Sequence, residues 1–379
     1  MPFDFSEPDP QRVEFFSCPE PDPEGRINLL HEIQRSQAIE LTQGFVSRYG
    51  ETLKDRDDGL FAVLEAVRAG GISAEQAIAY PIPQYRFLFG SEELDPLIVA
   101  TQTALHLGVH GQAQEWKVEF PEPAVFVGGN RYKADLLSME QSGNQITGTT
   151  AQGDLLALEE WDELPSVDNI GFLTSIPKQA FLKVLNNQEE SPQLKAEECK
   201  IVLSEALDII EQFTPAYLPW VKDILRWLVP IYPPEASTGA TSRAFSMYGV
   251  PSIVHMSFPN NPLKIADLLV HECSHQYYHV AEDWFRLSND QDKELYYSDY
   301  VKKDRPIDRI LIAFHAFANV SRFYIECLRN DAPFKEKAMQ ELGRHERWLS
   351  DFKEHLHATP GLTKAGHNVW RPLSKLLFV

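Results

Sequence analysis

Ile265-Ala266-Asp267-Leu268-Leu269-Val270-His271-Glu272-Cys273-Ser274-His275-Gln276 is the stretch that decides the fold. Residues four apart on a helix sit one turn apart on the same face, so His271 and His275 can aim ring nitrogens at one metal ion with Glu272 beside it. The flanks agree with a helix. Asn261-Pro262 supplies an N-cap followed by proline at the first helical position, and Ile265, Leu268, Leu269, Val270, Tyr277, Val280 and Trp284 put apolar side chains on several faces. A helix apolar nearly all round belongs in a core. Two core histidines are either ligands or satisfied by hydrogen bonds, and the spacing and the intervening glutamate favour ligands.

Downstream, Leu287-Ser288-Asn289-Asp290 ends this helix and a polar loop runs to Arg305. Asp304-Arg305-Pro306 then opens a long helix with Ile310, Leu311, Ile312, Phe314, Phe317, Val320 and Phe323 along it, stopping near Asn330-Asp331. A charged helix over 335–357 and a short tail containing Trp370-Arg371-Pro372 follow. Upstream, 242–256 reads as one or two strands around a Gly249-Val250-Pro251 turn that feeds the histidine helix. Helices are expected over 196–213 and 215–228. From about 114 to 164 the texture is strand-rich, with alternation in Trp116-Lys117-Val118-Glu119-Phe120 and turn signals at Gly128-Gly129-Asn130 and Ser142-Gly143-Asn144. The leading part carries helical patterns over 27–49, 60–69, 74–79 and 96–107. The expected fold class is mainly α with a smaller β component (α+β). Its expected parts are a helical N-terminal segment (1–112), a strand-rich insert (113–190) and a helical metal-binding domain (191–379).

With 379 residues, 43% hydrophobic and 24% charged, the chain has the composition of a soluble globular protein. Its 35 Lys+Arg against 55 Asp+Glu leave a net charge of −20, which argues against nucleic acid or an anionic membrane surface as partner and suits a basic or neutral peptide. Cys18, Cys199, Cys273 and Cys327 lack the spacing of a disulfide framework or a cysteine metal site, so they read as thiols in a reducing compartment. The start of the chain lacks a basic region followed by an apolar core, and no run of apolar residues is long enough to span a bilayer. The expected location is cytoplasmic.

Two histidines hold a catalytic metal weakly, so a third group is expected from elsewhere in the fold. His279 lies two turns, about 12 Å, beyond His271 and cannot share its ion from a continuous helix. No glycine follows His275 to bend the chain toward a third histidine, since Gln276-Tyr277-Tyr278 stands there. Glu282 is too close in sequence and Glu294 falls in the polar loop, whereas Glu326 is helical and possible. His315, on an apolar stretch of the next long helix, is the preferred third ligand, because a helix packed on the first can present it across the interface.

His271-Glu272-x-x-His275, then Tyr296-Tyr297-Ser298-Asp299-Tyr300 leading to Asp304-Arg305-Pro306, then Phe314-His315-Ala316-Phe317 and Phe323-Tyr324, together resemble the HExxH-domain family of 2-oxoglutarate-dependent peptide β-hydroxylases, which tailor ribosomally made peptides. The resemblance runs from near Ser246 to Leu328, and where the family has Pro-Trp this chain has Asp299-Tyr300. It implies a zinc-peptidase-like scaffold that holds Fe(II) through His271, His275 and His315. The implied substrates are 2-oxoglutarate and a precursor peptide, and Glu272 is the implied catalytic-site carboxylate. A 2-oxoglutarate site needs a cation for the distal carboxylate. Arg305 is the first candidate and Arg322 the second. The same three histidines would also suit Zn(II) in a metallopeptidase with Glu272 as general base, and spacing alone leaves both open.

Overall fold

The computed structural model describes residues 9–19, 22–77, 80, 96–107, 116–119, 124–127, 130–133, 136–142, 145–150, 155–157, 162–163, 166–172, 196–231, 244–258, 261–289 and 292–377. The helices are α1 (Pro23–Arg56), α2 (Asp58–Arg68), α3 (Ala74–Ala77), α4 (Pro96–His106), α5 (Ala196–Phe213), α6 (Tyr217–Ile224), α7 (Pro262–Trp284), α8 (Ile307–Arg329), α9 (Lys335–Ala358) and α10 (Lys364–Leu377). The strands are β1 (Trp116–Glu119), β2 (Ala124–Val127), β3 (Asn130–Lys133), β4 (Leu136–Ser142), β5 (Gln145–Thr150), β6 (Leu155–Ala157), β7 (Asp162–Glu163), β8 (Ser166–Val167), β9 (Ile170–Phe172), β10 (Trp227–Ile231), β11 (Ala244–Met247), β12 (Val250–Ser257), β13 (Tyr296–Ser298) and β14 (Lys303–Arg305). The fold is mainly helical with a smaller β component, as the patterning predicts. The turns expected at 128–129 and 143–144 lie outside the described residues.

Two compact units form. One gathers Met1–Leu30, Glu198–Leu225 and Gly239–Val379, and the other His31–Glu197 and Arg226–Thr238. Both units draw on discontinuous stretches of the chain.

The first unit is built on α7 and α8. The Asn261 side chain accepts from the Lys264 main-chain N–H at 3.1 Å and Pro262 follows, so the expected N-cap is formed. Helix α8 packs on α7, α9 and α10. Its Asn319 takes the Tyr217 hydroxyl of α6 on Oδ1 at 3.0 Å, and the Tyr277 hydroxyl of α7 donates to the Trp220 carbonyl at 3.1 Å. Trp220 and Tyr277 rings pack 3.9 Å apart, with the buried Arg26 guanidinium over both. Arg26 donates to the Pro19 carbonyl and to Asp223 Oδ2 at 2.9 Å, so its charge is met on burial.

The tail with Trp370-Arg371-Pro372 is a correction: it is helix α10, with Trp370 buried against Phe314. Thr363 caps it by accepting from the Gly366 N–H, and a Cβ on Gly366 would stand 2.1 Å from the Leu287 carbonyl oxygen, so only glycine permits this approach. The expected polar loop before Arg305 contains an antiparallel hairpin, β13 paired with β14. The expected turn at Gly249-Val250-Pro251 is tighter than read: Tyr248 and Gly249 make it, with Gly249 at φ +76°, and Val250 and Pro251 already belong to β12.

In the second unit the remainder of α1 packs with α2 and α4 around Leu53, Leu60, Leu64, Val67, Val99 and Ala100. Antiparallel strands run in the order β1-β4-β5-β6, and β2, β3 and β7 form a smaller sheet. The 215–228 helix stops at Ile224, because Trp227-Leu228-Val229-Pro230-Ile231 forms β10, parallel to β9. The aromatic and branched side chains suit a strand, and Pro230 could not continue a helix. Among the described residues no helix is long and apolar enough to cross a membrane.

Removing the carboxylate partner of Arg26 tests this arrangement. Asp223→Ala is expected to lower stability by on the order of 3 kcal/mol, read as an earlier midpoint in urea unfolding; an unchanged midpoint would show that solvent already serves the guanidinium.

Candidate metal centre

Between Ile265 and Ala281 every residue of α7 is buried except His271, His275 and His279. The i, i+4, i+8 spacing puts these three on one stripe, so the single open face of a core helix carries the imidazoles. His271 Nε2 and His275 Nε2 stand 3.1 Å apart with their rings edge to face. Two imidazole nitrogens each about 2.0–2.1 Å from one ion are separated by about 3 Å, so this pair fits a shared metal. Burial drives the His271 ring down to about 4 and the His275 ring well below the usual histidine range, the latter also under the influence of His271, His279 and Arg309. Both are thus neutral near pH 7, the form a metal takes up.

Glu272 points off the stripe and is buried, with Oε2 lacking a hydrogen-bond partner. Burial raises its carboxyl to about 8, opposed by the Ser246 hydroxyl and main-chain N–H. Ser246 belongs to β11, which is an edge strand among the described residues. The β11–β12 hairpin is tied to α7 by Gln276, whose amide accepts from the Ser252 N–H at 3.2 Å and donates to the Ile253 carbonyl at 3.0 Å. Tyr248 at the hairpin tip lies edge-on to His279. The β11–β12 hairpin therefore packs beside α7 with its tip at His279.

His315 is fully buried in α8, its ring near Trp220 and Tyr278. Its Nε2–H is shared by the carbonyls of Phe16 at 2.8 Å and Ser17 at 3.0 Å. Nδ1 is then the lone-pair nitrogen, buried without a hydrogen-bond partner. The residue that α8 sets against His271 is Phe317, at 5.1 Å between ring centroids. Among the described residues no three histidine, cysteine or carboxylate side chains are gathered closely enough to hold one ion. His271 and His275 come together, Glu272 lies off their stripe on the same helix, and His315 lies on the neighbouring helix.

Arg305 ends β14, half-buried, and shares with Glu272 an electrostatic influence on the Tyr300 phenol. Arg322 is engaged with Glu326 at 2.9 Å, one turn along α8, which also occupies the carboxylate alternative for the third ligand. Of the other carboxylates, Glu282 stands 3.6 Å from the His279 ring. Tyr300, from the Tyr296–Tyr300 block, packs its ring on Phe317 at 4.7 Å and Trp348 at 4.9 Å, whereas two other neighbours of the site, Ser246 and Arg309, carry no sequence signal. Only tertiary packing brings them to α7.

The four cysteines are buried and none forms a disulfide. Burial, together with the nearby Glu272 carboxyl, raises the Cys273 thiol far above its ordinary range, so it is inert as a nucleophile. No known family model matches this chain, and no curated protein is significantly similar to it.

Glu272 gives the metal-free protein a distinctive pH response. A carboxyl raised to about 8 keeps its proton in the folded state, so its favourable contribution is complete at low pH and is lost as pH climbs through 8. The histidines lowered to about 4 act the opposite way, but only below their ordinary value of 6.5. With chelator present, the wild-type chain should therefore lose about 2 kcal/mol between pH 6.5 and 8.5 relative to Glu272→Gln. Parallel denaturation series for the two proteins give the answer, and equal slopes would refute a raised carboxyl.

Proposed function

We propose that this protein is an Fe(II)- and 2-oxoglutarate-dependent oxygenase that hydroxylates the β-carbon of a residue in a ribosomally made precursor peptide. The observation that carries a metal is the convergence of His271 and His275 Nε2, 3.1 Å apart, on the one open stripe of a buried helix. Oxygen chemistry is favoured by the ordered blocks from His271 through Tyr324 that resemble the peptide β-hydroxylases. His315 is the proposed third ligand. Its Nε2–H is tied to main-chain carbonyls, as the second nitrogen of a metal-bound imidazole usually is, and its Nδ1 lone pair is uncommitted.

The chain's own contributions follow from the geometry. Arg305 would receive the distal carboxylate of 2-oxoglutarate, with Arg309 a further cation beside His275, while Arg322 is already paired with Glu326. Strand β11 offers main-chain groups to an extended peptide alongside the stripe. Tyr300 and Phe317 wall the His271 side and limit the access of water. Glu272 holds its proton or gives it up according to the charge placed beside it, which lets it orient a bound water. When bound, iron and 2-oxoglutarate would supply the oxidising power, dioxygen being consumed and succinate and carbon dioxide released as one oxygen atom enters the peptide. The proposed setting is the cytoplasm, where the buried thiols stay reduced.

A zinc peptidase is the second reading, favoured by Glu272 itself. A carboxyl poised at about 8, with one oxygen lacking a partner and beside a histidine pair, is equipped to take a proton from water. Succinate formation that requires Fe(II), 2-oxoglutarate and oxygen together, with a peptide gaining one oxygen atom, is the result expected. Peptide cleavage with zinc alone, abolished in Glu272→Gln, would replace the oxygenase by the peptidase.

The third ligand has its own test. His315→Gln keeps an amide N–H for the Phe16 and Ser17 carbonyls but lacks Nδ1, so it should lose metal at least tenfold with little change in Tm. His315→Ala should lose both metal and thermal stability. Wild-type metal affinity in His315→Gln would leave His315 with a purely structural task.

A further inference from the structure

Helix α10 is cationic on the outside of an acidic protein. The chain has a net charge of −20, yet no acidic residue stands between Lys364 and Leu377, and Lys364, Arg371 and Lys375 are exposed on the outer face. The helix dipole favours Lys375 in the last turn but opposes Lys364 at the first position, and Arg371 and Lys375, four apart, repel each other. The inner face, with Ala365, Val369, Trp370 and Leu373 buried, holds the helix in place without them. Cations in the first half of α9 are met by carboxylates: Lys335 by Asp331 and Lys337 by Glu341, each at 2.6 Å, Arg344 by Glu341 at 2.7 Å, and Arg347 by Asp299. Lys364, Arg371 and Lys375 make no ion pair with any described residue. Beside them, α9 presents a hollow of about 480 Å³ lined by Ser350, Lys353, Glu354, His357 and Ala358. His357 joins the hollow to α10, packing edge-on against the Trp370 ring at 4.7 Å, and His367 flanks the same ring at 6.3 Å. Burial, then Arg371 and His357, hold the His367 ring below its ordinary value, so the charges acting on it are all of one sign.

We infer that the outer face of α10, with the adjoining hollow of α9, is a docking surface for an acidic peptide segment. The inference is independent of the metal reading. Three cations without partners, on a chain whose other exposed cations are largely paired, are complementary to carboxylates, and their mutual repulsion is relieved only when an anion arrives. Size selects a peptide over a larger polyanion. From Lys364 to Lys375 the face runs about 16 Å, or about two screening lengths at physiological salt. A short segment carrying a few Asp or Glu lies wholly within that field, whereas a nucleic-acid duplex or an anionic bilayer would extend past it over a surface that is acidic overall. Exposed Leu376 beside Lys375, together with the hollow, gives a peptide side chain somewhere to pack, which a simple inorganic anion cannot use.

The probe is a fluorescein-labelled oligoglutamate titrated with the full chain and read by fluorescence anisotropy, with heparin and phosphatidylserine vesicles tested alongside. Oligoglutamate should bind and should be released by rising salt. The combined variant Lys364→Glu, Arg371→Glu, Lys375→Glu should weaken it by at least about tenfold. The control Arg68→Glu, Lys302→Glu, Lys335→Glu changes the net charge equally at exposed cations that have partners, and should leave binding within about twofold of wild type. Equal losses in the two variants would show a response to net charge alone and overturn the inference, as would a wild-type chain that ignores oligoglutamate. Heparin or vesicles bound more tightly through the same three residues would overturn the choice of a peptide, and a wild-type dimer that the α10 variant dissolves would overturn it in favour of a second copy. If the α10 variant does not fold, Arg371→Gln decides: a loss of about two- to fivefold upholds the inference, and wild-type affinity overturns it.

Discussion

The desolvation of α7 is the constraint on which the first unit depends. Its residues from Ile265 to Ala281 are buried on every side but one, so neighbours must supply surfaces all round it: α6, α8, the β11–β12 hairpin and the N-terminal turn at Phe16. The same burial sets the chemistry. It strips protons from the histidines and forces one onto Glu272, so packing leaves neutral imidazoles and a carboxyl near its transition at physiological pH. Hydrophobic packing and site electrostatics are one effect here.

Charge is distributed unevenly about this helix. Arg309 acts on His275 and Arg305 on Tyr300, whereas Asp267 and Glu341 both act on His345. An anionic small molecule would find its cations near His275 and Tyr300. The overall charge of −20 is therefore a poor guide to the local field, which low dielectric and short distance dominate.

The sequence made α7 legible because an N-cap, a proline and an apolar pattern all signal the same element, and α8 because Asp304-Arg305-Pro306 precedes a long apolar run. It concealed α10, since Pro372 inside a helix imitates a tail and the Phe314 ring that packs on Trp370 lies more than fifty residues away. It concealed β10 for the opposite reason: Trp227 and Leu228 continue a helical spacing across a boundary that Pro230 enforces only afterwards. At the site, the histidine pair was readable from local spacing alone. Ser246 and Arg309 were not, because their chemistry arises from proximity across the fold. His315 shows the intermediate case, where sequence marks an unusual buried imidazole but not which of its nitrogens is engaged.

The N-terminal turn and the last helix are stitched to each other. Ser17 Oγ donates to the Val369 carbonyl at 2.7 Å, Asn368 donates to the Pro10 carbonyl at 2.8 Å, and His315 and Asn319 hold the Ser17 carbonyl from α8. Contacts 352 residues apart in sequence close the packing around the histidine helix. During translation, the helix would leave the ribosome well before the residues that complete its surroundings, since closing so long a loop is a late and slow event. Until residue 369 is available, the two motif histidines would be more solvated and more basic. The topology thereby delays the desolvation of the histidine pair to the end of folding.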